Sequence, residues 1–148
     1  MSSCKYWLGV RLVACLTLVA LACCVGCGGG SSLAPVSGKV TYKGGQPVTA
    51  GYVTYKPDKA KGNNFGGEPV GEIKSDGSYT LQTKGKPGAP LGAYKVIVSG
   101  GETPPDNTKL PTKQTVNATY SHPDTTTLAK DVVAKSPSGT YYDLEVTP

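Results

Sequence analysis

From Gly28 to Pro148 the chain has no cysteine, no tryptophan and no arginine, a single histidine (His122) and a single phenylalanine (Phe65). Each absence removes a class of function. Without cysteine, no disulfide staples this stretch and no zinc–thiolate site forms in it, so its stability rests on its own core. Without arginine, the side chain that grips phosphate and carboxylate with two parallel hydrogen bonds is missing. The 13 lysines after Cys27 stand mostly as single residues against 10 acids. No run of them makes the basic stripe of a nucleic-acid binder, so no nucleic-acid partner is expected. The one histidine available as a catalytic base, His122, reads as a turn residue, so no nucleophile–base set is expected, and no cofactor motif is present. Long helical periodicity is also missing after Leu33.

All five cysteines, Cys4, Cys15, Cys23, Cys24 and Cys27, lie in the first 27 residues. A segment with Lys5 and Arg11 precedes fifteen uncharged residues, Leu12 to Gly26. A basic start, a short apolar run and small residues at the exit make a secretory signal peptide. The run is shorter than the roughly 20 apolar residues that span a bilayer. It ends at Cys27, followed by Gly28-Gly29-Gly30-Ser31-Ser32.

A small residue, then cysteine, then a Gly/Ser tether resembles the lipobox of bacterial lipoproteins, in which the cysteine is acylated and becomes the first mature residue. Cys27 has Gly26 and Val25 before it and the full apolar run behind it, and is the favoured acylation site. Cys23, after Leu21-Ala22, and Cys24, with Leu21 three residues before it, are the alternatives. The segment also fits a cleaved signal of a freely secreted protein, or an uncleaved anchor. The resemblance implies export, a membrane partner through an N-terminal lipid anchor, and, with no aspartate after Cys27, an outer-membrane or surface location in a two-membrane cell. The reading divides the chain into a signal peptide (1–26), an acylated cysteine with tether (27–34) and one domain (35–148). As a coil, the tether from Gly28 to Leu33 reaches ~13 Å.

The remainder reads as all-β. Val36–Lys43, Ala50–Lys56, Pro69–Lys74, Ser78–Thr83, Gly92–Ser99, Thr126–Ala134 and Thr140–Thr147 alternate apolar and polar residues or are rich in β-branched residues and tyrosine. The inward faces carry Val40 and Tyr42; Val53 and Tyr55; Tyr79 and Leu81; Tyr94, Val96 and Val98; and Tyr142, Leu144 and Val146. Asp76-Gly77 between two such runs predicts a tight hairpin, because both residues tolerate positive φ. Lys59–Gly67 and Lys84–Pro90 read as loops, and Gly100–Ala118 as a long proline-rich connection. About seven short strands imply a single antiparallel β-sandwich following the signal helix.

Gly38-x-Val40, Gly45-x-Pro47-Val48, Tyr52-Val53-x-Tyr55, Asp76-Gly77-x-Tyr79-x-Leu81 and Gly92-x-Tyr94-x-Val96 resemble the carboxypeptidase regulatory-like, or transthyretin-like, β-sandwich. Tyr120, Thr125–Leu128 and Tyr142-x-Leu144 resemble the small bacterial lipoproteins that carry one such domain. The likeness covers about Pro35 to Pro148. It implies an accessory or structural role rather than chemistry.

His122 lies in a turn-like Tyr120-Ser121-His122-Pro123-Asp124, and no set of metal ligands converges in sequence. Lys39 or Lys43 on the first strand and Asp143 on the last invite an isopeptide cross-link, but alternation puts them on outer faces, and that bond needs burial. Two classes remain: a structural or protein-interaction domain of the cell envelope, and a module for an extracellular carbohydrate or small ligand. Sugar readers present exposed rings. Phe65 and Tyr120 are the only loop aromatics placed to do so, and they form the candidate ligand loop. The expected partner is thus an envelope protein or glycan.

Overall fold

The computed structural model describes residues 32–102, 113–135 and 139–148. Cys23, Cys24, Cys27 and the expected signal helix lie outside the described residues. Ser31–Pro148 forms one compact unit.

The regular structure of the described residues is mostly strand, in three sheets. The largest is built on the longest strand, β9 (Gly92–Glu102). One edge of β9 takes β3 (Gly51–Pro57) over seven residue pairs, from Gly51↔Gly100 to Pro57↔Tyr94. β4 (Val70–Ile73) continues the sheet beyond β3, followed by β6 (Gln82–Thr83) and β7 (Lys86–Pro87). β9 also pairs with β10 (Lys113–Gln114) and β11 (Ala129–Val132). A second sheet has the order β12 (Leu144–Val146), β2 (Ser37–Tyr42), β5 (Ser78–Thr80). The third is a ribbon of β1 (Leu33–Ala34) and β8 (Ala89–Pro90).

Alternation translates into burial. Val53 and Tyr55 on β3, Tyr94, Val96 and Val98 on β9, and Val40, Tyr79, Leu144 and Val146 from the second sheet join one hydrophobic cluster. Ile97, on the opposite face of β9, is half-buried beside Thr54 of the neighbouring strand. Fully burying an aliphatic side chain of this size contributes roughly 1.5–3 kcal/mol. Three tyrosines fill the middle, with the Tyr55 and Tyr94 rings 5.6 Å apart.

Three features differ from the sequence expectation. First, the sheets are antiparallel except that β12 runs parallel to β2, with Leu144 opposite Val40. Parallel neighbours cannot be joined by a tight turn, and here they come from opposite ends of the domain. Second, Ser78–Thr83 is not one strand. β5 pairs with β2, β6 pairs with β4, and Leu81 between them sends its N–H to the Val36 carbonyl (3.0 Å). The chain crosses between sheets there, and Leu81 is fully buried. The Asp76-Gly77 turn itself forms as expected, with Gly77 at φ 80°. Third, Leu33–Ala34, in the expected tether, pairs as β1 with β8, and the expected loop Lys84–Pro90 contains both β8 and β7, which pairs with β6; Ala34 is buried. Two-residue strands carry too little alternation to be read from sequence.

Candidate functional site

The loop after β3 is the most elaborated surface segment. Asp58 opens a 3₁₀ turn at Lys59–Lys61, its carboxylate accepting the Ala60 N–H at 3.2 Å, and Gly62 closes it at φ 82°. Asn63 then fixes the loop to the sheet. Its Nδ2 donates to the Ala93 carbonyl (2.9 Å) and its Oδ1 accepts the Phe65 N–H (3.1 Å). Asn63 is among the few buried polar residues, and both ends of its amide are bonded. Phe65 is half-buried, and its ring edge lies 2.9 Å from where a side chain on Gly67 would begin. The loop thereby holds one aromatic ring at the rim of a cavity of about 350 Å³, lined by Lys56, Lys59, Asn64, Phe65 and Glu68 among others. Lys56 and Glu68 form an exposed ion pair of 3.5 Å. Such a pair contributes little to stability and leaves both charges open to solvent.

Glu68 also borders a second groove, about 400 Å³, on the outer face of the large sheet. Tyr52, Glu72, Gln82 and Lys84 contribute to it. The two depressions share one carboxylate, Glu68, so rings, carboxylates, an amide and ammonium groups stand near one another here. Tyr52 was legible as an outward residue from the alternation of β3, but its place in a groove depends on the neighbouring strands.

Tyr120 does not join Phe65. It lies in the 3₁₀ turn Ala118–Ser121 and is partly buried against the hydrophobic core. Asn117 caps that turn by accepting the Thr119 N–H (3.0 Å). His122 is exposed at the end of the turn, where its carbonyl accepts the Thr126 N–H (2.9 Å). Among the described residues no three of His, Cys, Asp or Glu come together in a way that would hold a metal.

Several other polar groups are committed to architecture. Asp76 accepts both the backbone N–H and the hydroxyl of Ser78 (3.0 and 2.6 Å), which hold its carboxyl below the usual carboxylate range. Asp143 accepts the Lys39 backbone N–H at 2.7 Å. Lys39 and Asp143 therefore do meet, but through a main-chain N–H rather than through the lysine amine. In the core, Tyr79 Oη donates to the Tyr142 carbonyl (2.6 Å) and lies 3.2 Å from Tyr55 Oη. A hydroxyl has one proton, and a carbonyl only accepts. The Tyr79 proton is thus spent on Tyr142, and Tyr55 donates to Tyr79. Burial pushes the Tyr55 and Tyr79 hydroxyls well above the ordinary tyrosine range. Burial also raises Tyr94, whose Oη donates to the Pro90 carbonyl (2.8 Å).

No family model, no curated protein and no solved structure matches this chain.

Proposed function

We propose that this chain is an exported lipoprotein, acylated at Cys27, whose domain is a transthyretin-like or carboxypeptidase regulatory-like β-sandwich with a non-catalytic structural or protein-interaction role in the cell envelope. The observation that carries the reading is the succession along the chain. A basic start, fifteen uncharged residues and Cys27 lead, within six residues, into the first strand at Leu33. The sandwich assignment is supported by the shared core, to which Val40, Tyr79 and Leu144 contribute from one sheet and Val53, Tyr55 and Val96 from another. The non-catalytic assignment is supported by the polar residues themselves: Asp58, Asp76 and Asp143 cap turns or strands, and the Tyr55 and Tyr79 hydroxyls bond within the core. The location is the outer membrane or cell surface where the cell has two membranes. Intact mass of the protein from native membranes tests the anchor. An adduct of a diacylglyceryl group on a chain beginning at Cys27 supports it, and an unmodified chain in the medium refutes it.

One observation favours a second reading. Phe65 stands at the rim of one cavity, and Tyr52 lines a second that shares Glu68 with it. A ring edged by carboxylate and amide groups suits an extracellular carbohydrate or small polar ligand. Phe65→Ala should then weaken retention on immobilised glycan without loss of fold, and unchanged retention removes this reading's main anchor.

A further inference from the structure

Four large apolar side chains are exposed among the described residues: Val70, Leu91, Val133 and Tyr141. Two of them meet at one end of the domain. Val132 of β11 is paired with Gly92 of β9, and one residue outside that terminal pair, on each chain segment, stand Val133 (38% exposed) and Leu91 (47% exposed). The chain enters the domain at the same place. Leu33 is paired with Pro90 in an antiparallel ribbon, so the residue before it, Ser32, runs out alongside Leu91.

Lysines surround this end. The Asp58 N–H and the Asn63 side chain both bond the Ala93 carbonyl, and a side chain on Gly92 would collide with Asn63 at 2.8 Å. These contacts hold the 3₁₀ turn beside the start of β9, with Lys59 and Lys61 exposed on it. Lys135, also exposed, follows Val133 by two residues. The acids here are Asp58, engaged in capping, and Asp131, opposite Ala93. The end thus combines two exposed aliphatic side chains, three lysines and two acids.

We propose that this end is a membrane-docking tip, with Leu91 and Val133 seated in the lipid interface and Lys59, Lys61 and Lys135 on phosphate groups of an anionic phospholipid surface. The inference rests on acylation at Cys27. Five peptide steps separate Cys27 from Ser32, at most about 18 Å of fully extended chain. The headgroup layer of one leaflet takes up roughly 6 Å of that span. The point of chain entry is therefore confined to the membrane surface, and the residues flanking it are those that meet lipid first. Apolar side chains rimmed by lysines are the composition that binds such an interface, by apolar burial together with attraction to anionic headgroups.

The absence of tryptophan after Trp7 makes the test direct. The lipidated protein carrying Leu91→Trp, purified from native membranes, is reconstituted in vesicles of equal parts phosphatidylcholine and phosphatidylglycerol with brominated acyl chains. Val133→Trp is made in parallel, so that one poorly folding variant does not decide the matter. The reference is Ser75→Trp, in the turn after β4; Gly51 pairs there with both Ile73 and Gly100, eight residues along β9 from Gly92. The tip substitutions should give blue-shifted emission quenched by the brominated lipid, with the reference unshifted and unquenched. Changing Lys59, Lys61 and Lys135 together to glutamine should lessen the quenching at position 91. An acylated, vesicle-bound protein with position 91 and position 133 no more quenched than position 75 overturns the tip alone. A protein with no acyl adduct that fails to float with vesicles overturns the Cys27 reading and the tip with it.

Discussion

The backbone N–H of Lys39 donates to the carboxylate of Asp143 at 2.7 Å, across 104 residues of chain. Lys39 lies on β2, and Asp143 immediately precedes β12, the strand that pairs parallel to β2. The carboxylate thus satisfies an N–H of β2 where β12 has not yet begun to pair. Asp143→Ala should cost about 1 kcal/mol, the ordinary worth of one hydrogen bond, measured as a lower urea midpoint with an unchanged slope. The intact mass should show no loss of water, because the lysine amine forms no amide with Asp143; a loss of one water would contradict this geometry.

Gly38 of β2 packs against the backbone just before β12. A side-chain carbon there would stand 2.5 Å from the Tyr142 carbonyl oxygen, which is backbone and cannot swing aside. Gly38→Ala should therefore destabilise by roughly 1–3 kcal/mol, the usual cost of overpacking. The readout is thermal or urea unfolding, and a variant as stable as the parent would contradict the spacing of β2 and β12.

The tyrosine relay has a direction, and the direction ranks two substitutions. Removing the Tyr79 hydroxyl leaves both the Tyr142 carbonyl and the Tyr55 hydroxyl without that partner, whereas removing the Tyr55 hydroxyl takes away only a donor to Tyr79. Tyr79→Phe should cost about 1–3 kcal/mol, as buried polar groups lose their partners, and Tyr55→Phe less. Chemical denaturation of the two variants side by side decides the order.

Alkaline pH should act through the same residues. Burial raises the Tyr55, Tyr79, Tyr94 and Tyr142 hydroxyls above the ordinary value of 10.0. Their neutral forms are favoured in the folded state. Stability from them is fully present below about pH 10 and is lost as the pH rises beyond it, because the unfolded chain releases those protons first. Urea midpoints followed from pH 8 upward, alongside tyrosinate absorbance, should show tyrosinate from the buried tyrosines appearing only with unfolding. Full tyrosine ionisation in the still-folded protein would contradict their burial.

How far the sequence carries can be seen in particular residues. Tyr94, Val96 and Val98 alternate with Lys95, Ile97 and Ser99, and that pattern was enough to place the longest strand and its inner face. Asp76-Gly77 placed the hairpin turn. Leu81 fitted the inward pattern equally well, yet its backbone bonds Val36 and ends the strand, which is a relation to distant chain. Pairing of Leu33 with Pro90 is likewise long-range. The candidate loop was half legible. Phe65 stood out as the only phenylalanine in a glycine-rich loop, but its companions, Glu68 and Tyr52, are set by strand pairing, while Tyr120 turned toward the core. Asn63, which fixes the loop, carried no sequence signal beyond being one more polar residue.

The central claim is that this β domain is held at a membrane by an acylated Cys27. Intact-mass analysis of the protein extracted from its native membrane fraction tests it most directly. The account predicts a chain of residues 27–148 carrying a diacylglyceryl group, with or without an N-acyl chain. An unmodified chain recovered from the medium, or an uncleaved chain still bearing residues 1–26, would contradict it.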